Sequence, residues 1–320
     1  MPSLPALAEI ETVAAEVERV VPPTPQYTWP LLNARAGCEL WVKHDNHTAI
    51  GAFKLRGLIH YLGRLAARQP EVRGVIAATR GNHGQAVAFG ARRLGLTATI
   101  VVPHGNSREK NRAMQAHGAE LIEHGHDFQA ALEHSRRLGA ERNLHAVPSF
   151  HADLVCANAG SALTFLRRSP PLERVYVPIG LGSGICAMLA ARDALRLTTA
   201  VIGVVADEAP AVALSFAQGS LVTAPATTRL ADGLACSTPH PEALTHILQG
   251  VDHIVRVTEA EIEAGMRATF TDTHNVAEGA AAAGLAAVLQ ERERNAGRRV
   301  GLVCTGGNVD AAVFGRILAG

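Results

Sequence analysis

The sequence has almost no net charge: 30 Lys and Arg against 29 Asp and Glu leave a formal +1. It also has no long basic run, so it carries no electrostatic footprint for a nucleic-acid partner. Long hydrophobic runs are absent too. The longest apolar stretch, residues 280–289, is Ala-rich and far short of the ~20 residues that a membrane-spanning helix needs, so no membrane is expected. A secretory signal is missing. The first twenty residues carry Glu9, Glu11, Glu16 and Glu18 among apolar residues at helical spacing, which predicts an amphipathic surface helix. Cysteine is sparse. Cys38, Cys156, Cys186, Cys236 and Cys304 are scattered, odd in number and without a Cys-x-x-Cys pair. That excludes a disulfide framework and predicts buried, reduced thiols in a cytoplasmic protein. Internal repeats, low-complexity tracts and Pro-rich linkers are also absent. Histidine is plentiful, but His44/His47 and His124/His126 have no Cys or carboxylate at ligand spacing, so no metal is expected.

The 320 residues are 48% hydrophobic, enough for a large core and for more than one domain. Short β-branched runs at 39–43, 74–78, 98–102, 120–123, 174–178, 201–205, 253–257 and 300–304 predict strands. Between most of them, segments such as 54–67, 83–94, 107–117 and 127–142 carry apolar residues at helical spacing. The alternation predicts an α/β fold with mostly parallel sheets. Residues 63–149 form a β-α-β-α-β-α unit whose ends run into the flanking segments without a linker, as an inserted domain would. Tyr27, Trp29 and Trp41 are expected in the core or at an interface.

Four segments at strand or helix ends, where α/β folds place ligands, carry chemistry. In the first, Gly51, Ala52 and Phe53 precede Lys54 at the start of an apolar helix. A lysine is disfavoured there because a helix N-terminus is already positive. That end and desolvation would lower its pKa, as a Schiff-base lysine requires; the alternative is an ordinary exposed lysine. In the second, Thr79-Arg80-Gly81-Asn82-His83-Gly84-Gln85 joins an apolar strand to a helix. Its backbone N–H groups, with Thr79 and Asn82, suit a carboxylate, or simply cap a turn. In the third, Gly180-Leu181-Gly182-Ser183-Gly184 offers glycine-flanked amides at a helix start, which suits a phosphate. A dinucleotide site is the rival, supported by Asp207 one βα unit later and opposed by Ile185 where the fingerprint needs glycine. In the fourth, a buried strand ends at Thr305-Gly306-Gly307-Asn308. By itself Thr305 reads as a small polar residue at a strand end.

Taken in order, these segments resemble the pyridoxal-phosphate-dependent serine/threonine dehydratase family of fold type II, which also includes serine racemase. The resemblance runs from about residue 20 to the C-terminus. The segment 50–57 is similar to the cofactor-lysine motif, with Ile50 where the family has Ser or Thr. Residues 78–85 resemble the Ser-x-Gly-Asn-His-x-Gln loop, and 305–308 the Ser-Gly-Gly-Asn segment. Ala231-Asp232-Gly233 and Ala277-Glu278-Gly279 add two weaker matches. The resemblance implies a two-domain fold like that of the tryptophan synthase β chain, with open, mostly parallel sheets. A large cofactor domain would span 1–62 and 150–320, and a small inserted one 63–149. Pyridoxal 5'-phosphate would sit on Lys54, the catalytic residue. Phe53 would pack on its ring, Asn82 would contact its hydroxyl and Thr305 its nitrogen. Gly180, Leu181, Gly182, Ser183 and Gly184 would cup its phosphate, with Gly233 and Glu278 nearby. Thr79, Arg80, Asn82 and His83 would line the substrate side, with His83 more structural than catalytic.

The implied reaction is β-elimination of threonine or serine to a 2-oxo acid and ammonia in a cytoplasmic homodimer. Hydroxyaspartate dehydration or racemisation on the same scaffold are the alternatives, and a nucleotide-binding oxidoreductase is the remote one. Racemases of this group carry Ser where Arg80 stands, and a guanidinium is a poor proton donor or acceptor, so negligible racemisation is expected. Some family members hold a cation through a Glu and a later Asp. Asp207 and Ala213 fall at those places, which argues against one here. The stretch after Asn308 leaves no room for a regulatory domain, so a short, catabolic-type enzyme is expected.

Overall fold

The computed structural model describes residues 3–320. Its strands are β1 Gln26–Thr28, β2 Glu39–His44, β3 Gly74–Ala78, β4 Thr97–Val102, β5 Ala119–Glu123, β6 His145–Ala146, β7 Arg174–Pro178, β8 Ala200–Ala206, β9 His253–Val257 and β10 Arg299–Cys304. They form two sheets. The larger has the order β1-β2-β10-β7-β8-β9, parallel except for β1, and the smaller has the order β5-β4-β3-β6, parallel throughout. Helices cover the sheets, so β3, β8 and β10 are buried along nearly their whole length. This explains why they read as continuous apolar runs rather than alternating ones. The expected α/β class of mostly parallel sheets is what the chain adopts.

All eight anticipated strands are present, three with the expected bounds and the rest longer by one or two residues. Two strands were not anticipated. Residues 26–28 and 145–146 are too short and too polar to register as β-branched runs, and β6 adds a fourth strand to the unit expected at 63–149. The helix expected over 83–94 starts one residue earlier, as Asn82–Arg93. Asp127 and Ser107 act as caps rather than helical residues, each accepting a hydrogen bond from the backbone three residues on. The N-terminal helix Leu7–Glu18 buries Ile10, Val13 and Val17 and leaves its glutamates outward. The small sheet lies within residues 74–146, and helix Lys54–Arg68 runs unbroken through residue 62. Tyr27 is 49% exposed, so the core is ruled out for it. Trp29 and Trp41 are half-buried.

The carboxyl ends of β2, β3, β7 and β10 carry the four segments singled out above. Because β2 and β10 are neighbours, chain segments about 260 residues apart meet there, with Cys304 opposite His44 in the register. Beyond these strands Ala52 bridges Gly306, Phe53 N donates to Thr305 O (3.0 Å) and Gly307 N to Gly51 O (2.9 Å). These bonds fix the lysine loop against the β10 turn.

Candidate active site

Lys54 is the first residue of helix Lys54–Arg68. At the end of β2 lies a separate buried polar cluster. Lys43 Nζ donates to Thr24 O (2.8 Å), while Asp45 accepts from Thr24 (2.6 Å) and Ser161 (2.8 Å). Arg56 donates to the carbonyls of Val21 and Pro22. The Lys54 amine lies 5.0 Å from the Phe53 ring centre. Among the described residues it has no hydrogen bond or ion pair. Burial pulls its pKa down, opposed by Glu278 and Asp232. A lowered, unpartnered amine is the form that attacks a carbonyl.

Asn82 opens helix Asn82–Arg93 and is held from two sides. It donates to Glu278 Oε1 (2.6 Å), and its own oxygen accepts from Asn308 Nδ2 (2.8 Å). Asn308 also donates to Ile50 O (2.8 Å). The arrangement brings the second and fourth segments and Glu278 together at one point. A side chain on Gly306 would collide with Glu278 Oε1, so only glycine fits beneath that carboxylate. Thr79 is buried, and its hydroxyl accepts from Gly81 N (3.1 Å). His83 is buried.

Across the cleft, Gly182 has φ +103° and Ser183 begins the helix Ser183–Ala194, so this loop points amides outward from a helix N-terminus. Gly180 is pressed against Gly233 O, 2.5 Å from where a Cβ would stand, and Gly184 faces the Phe53 ring. Leu181 is exposed at the loop tip. Thr305 is half-buried and its hydroxyl has no partner among the described residues. Arg80 is exposed. Its carbonyl accepts from Asn106 Nδ2 (3.1 Å), and its guanidinium pairs with nothing described.

One residue not singled out by sequence belongs here. Lys110 is buried on the small-sheet side and donates to Asp232 Oδ2 (2.6 Å), with Glu278 Oε2 3.9 Å away. It passes beneath Gly81, whose missing side chain leaves the room. Its attraction to the two carboxylates raises its pKa against the effect of burial. The signal was available: Lys110 stands in the first turn of helix Arg108–Ala116, as unfavourable a place for a lysine as that of Lys54. Glu278 is buried at the start of helix Gly279–Gln290 with Oε2 unbonded, and burial lifts its pKa to about 7.

Other candidates resolve differently. Asp207 is ion-paired to Arg256 (2.6 Å), so a guanidinium neutralises the carboxylate considered for a cation. His124 stacks on His134 and His44 on His47. Among the described residues no three His, Cys, Asp or Glu side chains gather as a metal site, and no helix is long and apolar enough to cross a membrane. All five cysteines are free and buried.

Fold and site define a class: an α/β enzyme with a free amine facing a glycine-lined helix N-terminus where two parallel sheets meet. The chain belongs to the pyridoxal-phosphate dependent enzyme family, whose model matches residues 17–306. It is 34% identical over 280 residues to the L-threonine ammonia-lyase of Geobacter sulfurreducens, covering 86% of this chain and 69% of that one. It is 28% identical over 318 residues to the L-threo-3-hydroxyaspartate ammonia-lyase of Saccharomyces cerevisiae, covering 99% and 97%. Maize serine racemase superposes with a TM-score of 0.91 at 24% identity over 99% of this chain and 98% of that one, a likeness of fold. The family match sets aside the nucleotide-binding oxidoreductase. The cofactor is pyridoxal phosphate, and the donor set fits it: a free amine for the aldehyde, a helix end for the phosphate, and a buried carboxylate oxygen on Glu278 without a partner.

Proposed function

We propose that the protein is an ammonia-lyase that removes the β-hydroxyl of a small β-hydroxy amino acid and yields a 2-oxo acid and ammonia. The observation that carries this reading is the unpartnered Lys54 amine beside Phe53, opposite the 180–184 loop. The names of the two relatives support the reaction class. Pyridoxal phosphate, when bound, supplies the electron sink that makes the substrate α-hydrogen acidic. The protein's residues do the rest. Lys54 would hold the cofactor through Nζ, and as a free amine that Nζ would take the substrate α-proton. Backbone N–H groups of Gly180, Leu181, Gly182, Ser183 and Gly184 hold the phosphate, and Phe53 packs on the ring. Asn82, fixed by Glu278 and Asn308, donates toward the ring hydroxyl, and Gly233 lines the same wall. Thr79 and the backbone at Asn82 and His83 receive the α-carboxylate. Thr305 offers the ring nitrogen a hydroxyl. A hydroxyl, unlike a carboxylate, does not keep that nitrogen protonated, which favours prompt elimination over a long-lived carbanion.

Arg80 favours a second reading of the substrate. An exposed guanidinium without a partner, next to Thr79, suits the second carboxylate of 3-hydroxyaspartate. It also argues against a racemase, because it is a poor proton carrier. A cytoplasmic homodimer completes the proposal, and the free buried thiols suit a reducing compartment.

The test is borohydride reduction with peptide mapping, followed by assays of ammonia release. The pyridoxyl label is expected on Lys54, and Lys54→Ala should lose all turnover of threonine, serine and 3-hydroxyaspartate. A label on another lysine overturns the site. Arg80→Ala should lose activity selectively on the diacid; a uniform loss would point to the α-carboxylate, and unchanged rates with all three substrates would make Arg80 structural. Rapid D-serine formation would defeat the case against racemisation.

A further inference from the structure

We propose that the buried imidazole of His83 is the hydrogen-bond acceptor for the free amine of Lys54, holding it in position between its two tasks. The inference rests on the reading of Lys54 as the cofactor lysine.

His83 is 5% exposed in the first turn of helix Asn82–Arg93. The Val147 backbone raises the pKa of its ring, as a hydrogen-bond acceptor beside it would. The Val147 nitrogen is already committed to Ile76 O (2.9 Å), so the ring donates to the Val147 carbonyl. A neutral imidazole that donates from one nitrogen presents a lone pair at the other. That other nitrogen, Nε2, is buried and has no partner. A buried acceptor left unmatched is costly, so it calls for a donor that arrives in some state of the molecule.

The Lys54 amine is the matching donor. Helices Lys54–Arg68 and Asn82–Arg93 pack together. Their first turns converge at Gly306, which bridges Ala52 and would, with a Cβ, stand 3.1 Å from Asn82 Nδ2. Two carboxylates and a cation share the neighbourhood, and of their buried polar atoms Glu278 Oε2 alone lacks a hydrogen-bond partner among the described residues. Asp232 takes the Lys110 ammonium at 2.6 Å, and Glu278 Oε1 takes Asn82 at 2.6 Å. Both carboxylates favour a charged Lys54, and burial opposes it. His83 remains the neutral acceptor. Burial first, and the Lys54 charge second, push its own pKa down to about 3, so it keeps its lone pair across the working range.

The consequence for the reaction is positional. While Lys54 carries the cofactor its nitrogen is engaged. Once the substrate displaces it, the amine sits on a flexible four-carbon stem and must return to the α-hydrogen. An acceptor for one N–H turns the amine lone pair toward that hydrogen and then holds the ammonium that forms. The same lone pair repels a carboxylate, so the His83 ring does not bind the substrate α-carboxylate and only its backbone N–H can.

The test compares His83→Phe, which keeps bulk and removes the acceptor, with His83→Gln, which restores an oxygen acceptor. In the full-length protein stripped of cofactor, Lys54 is pulse-labelled with acetic anhydride across pH and read by peptide mass spectrometry. Loss of the acceptor destabilises the ammonium, so labelling of His83→Phe at a fixed pH below the Lys54 pKa should rise roughly tenfold, and His83→Gln should return it toward wild type. In the loaded enzyme the Phe variant should lose kcat with KM little changed. Superimposable profiles for all three proteins overturn the proposal, as does an equal shift in both variants. Should His83→Phe not fold, 15N imidazole spectra of the wild type decide: Nε2 as the protonated nitrogen overturns the assignment. A pyridoxyl label away from Lys54 would sink the proposed function and leave the contact standing, whereas an intact label with unmoved profiles sinks only this inference.

Discussion

Glu278 shows how one buried group links the site to stability. Its carboxyl is lifted from an ordinary value near 4.5 to about 7, first by burial and then by Asp232, while Lys110, Asn82 and Lys54 pull it down. Lys110 spends its short contact on Asp232, so it only partly offsets the burial. Between those two pH values the folded protein keeps a proton that the unfolded chain has released. Stability therefore falls as pH rises through this window, and the full cost stands above about pH 7. Glu278→Gln keeps an oxygen for Asn82 and carries no charge. Its urea midpoint, measured without cofactor at pH 5 and pH 8, should vary less than that of the wild type, by on the order of 1–3 kcal/mol. Equal pH dependence in both proteins would show that the Glu278 carboxyl does not titrate there.

At the scale of elements, the 180–184 loop depends on close backbone approach. A methyl at Gly180 would meet Gly233 O at 2.5 Å, and neither partner is a flexible side chain. Gly180→Ala must part the two loops, so we expect cofactor affinity to fall by about tenfold or more, measured by absorbance after equilibrium dialysis. Gly63→Ala, with nothing within 4 Å of the new methyl, is the control and should bind as wild type does. The loop was legible in the sequence because its signal is local: glycines at a strand end before a helix. Strands such as β3 and β7 were legible for the same reason, as runs of apolar residues. Short polar strands such as β6 owe their place to pairing with β3 rather than to their own residues. The links within the site were not legible. Asn82 meets Glu278 across 196 residues and Lys110 meets Asp232 across 122. No local pattern encodes such a pairing. Lys110 was overlooked although its position in a helical first turn is as odd as that of Lys54.

At the scale of the whole molecule, the small-sheet side shares an apolar cluster with helices Leu7–Glu18, Lys54–Arg68 and Ala152–Arg168, and polar contacts around the cleft tie it to the large-sheet side as well. Lys110 reaches Asp232, Asn82 reaches Glu278 and Asn308, Ser107 bonds to Asp310, and Ala311 N donates to Glu109 (3.0 Å). Lys110→Met removes the buried cation and leaves its carboxylates facing one another. The expected loss is about 3 kcal/mol in urea unfolding, with faster amide exchange in helix Arg108–Ala116, and Lys110→Met with Asp232→Asn should recover part of it. Unchanged exchange in the single variant would show that this pair does not hold the two sides together. The placement of β10 between β2 and β7 has one more consequence, for synthesis on the ribosome. Lys54 is made well before the Thr305 turn that braces its loop. A growing chain therefore exposes the reactive lysine long before it can build the pocket around it. On the proposed role of Lys54, capture of the cofactor waits for the Thr305 turn and cannot guide the folding of segments made before it.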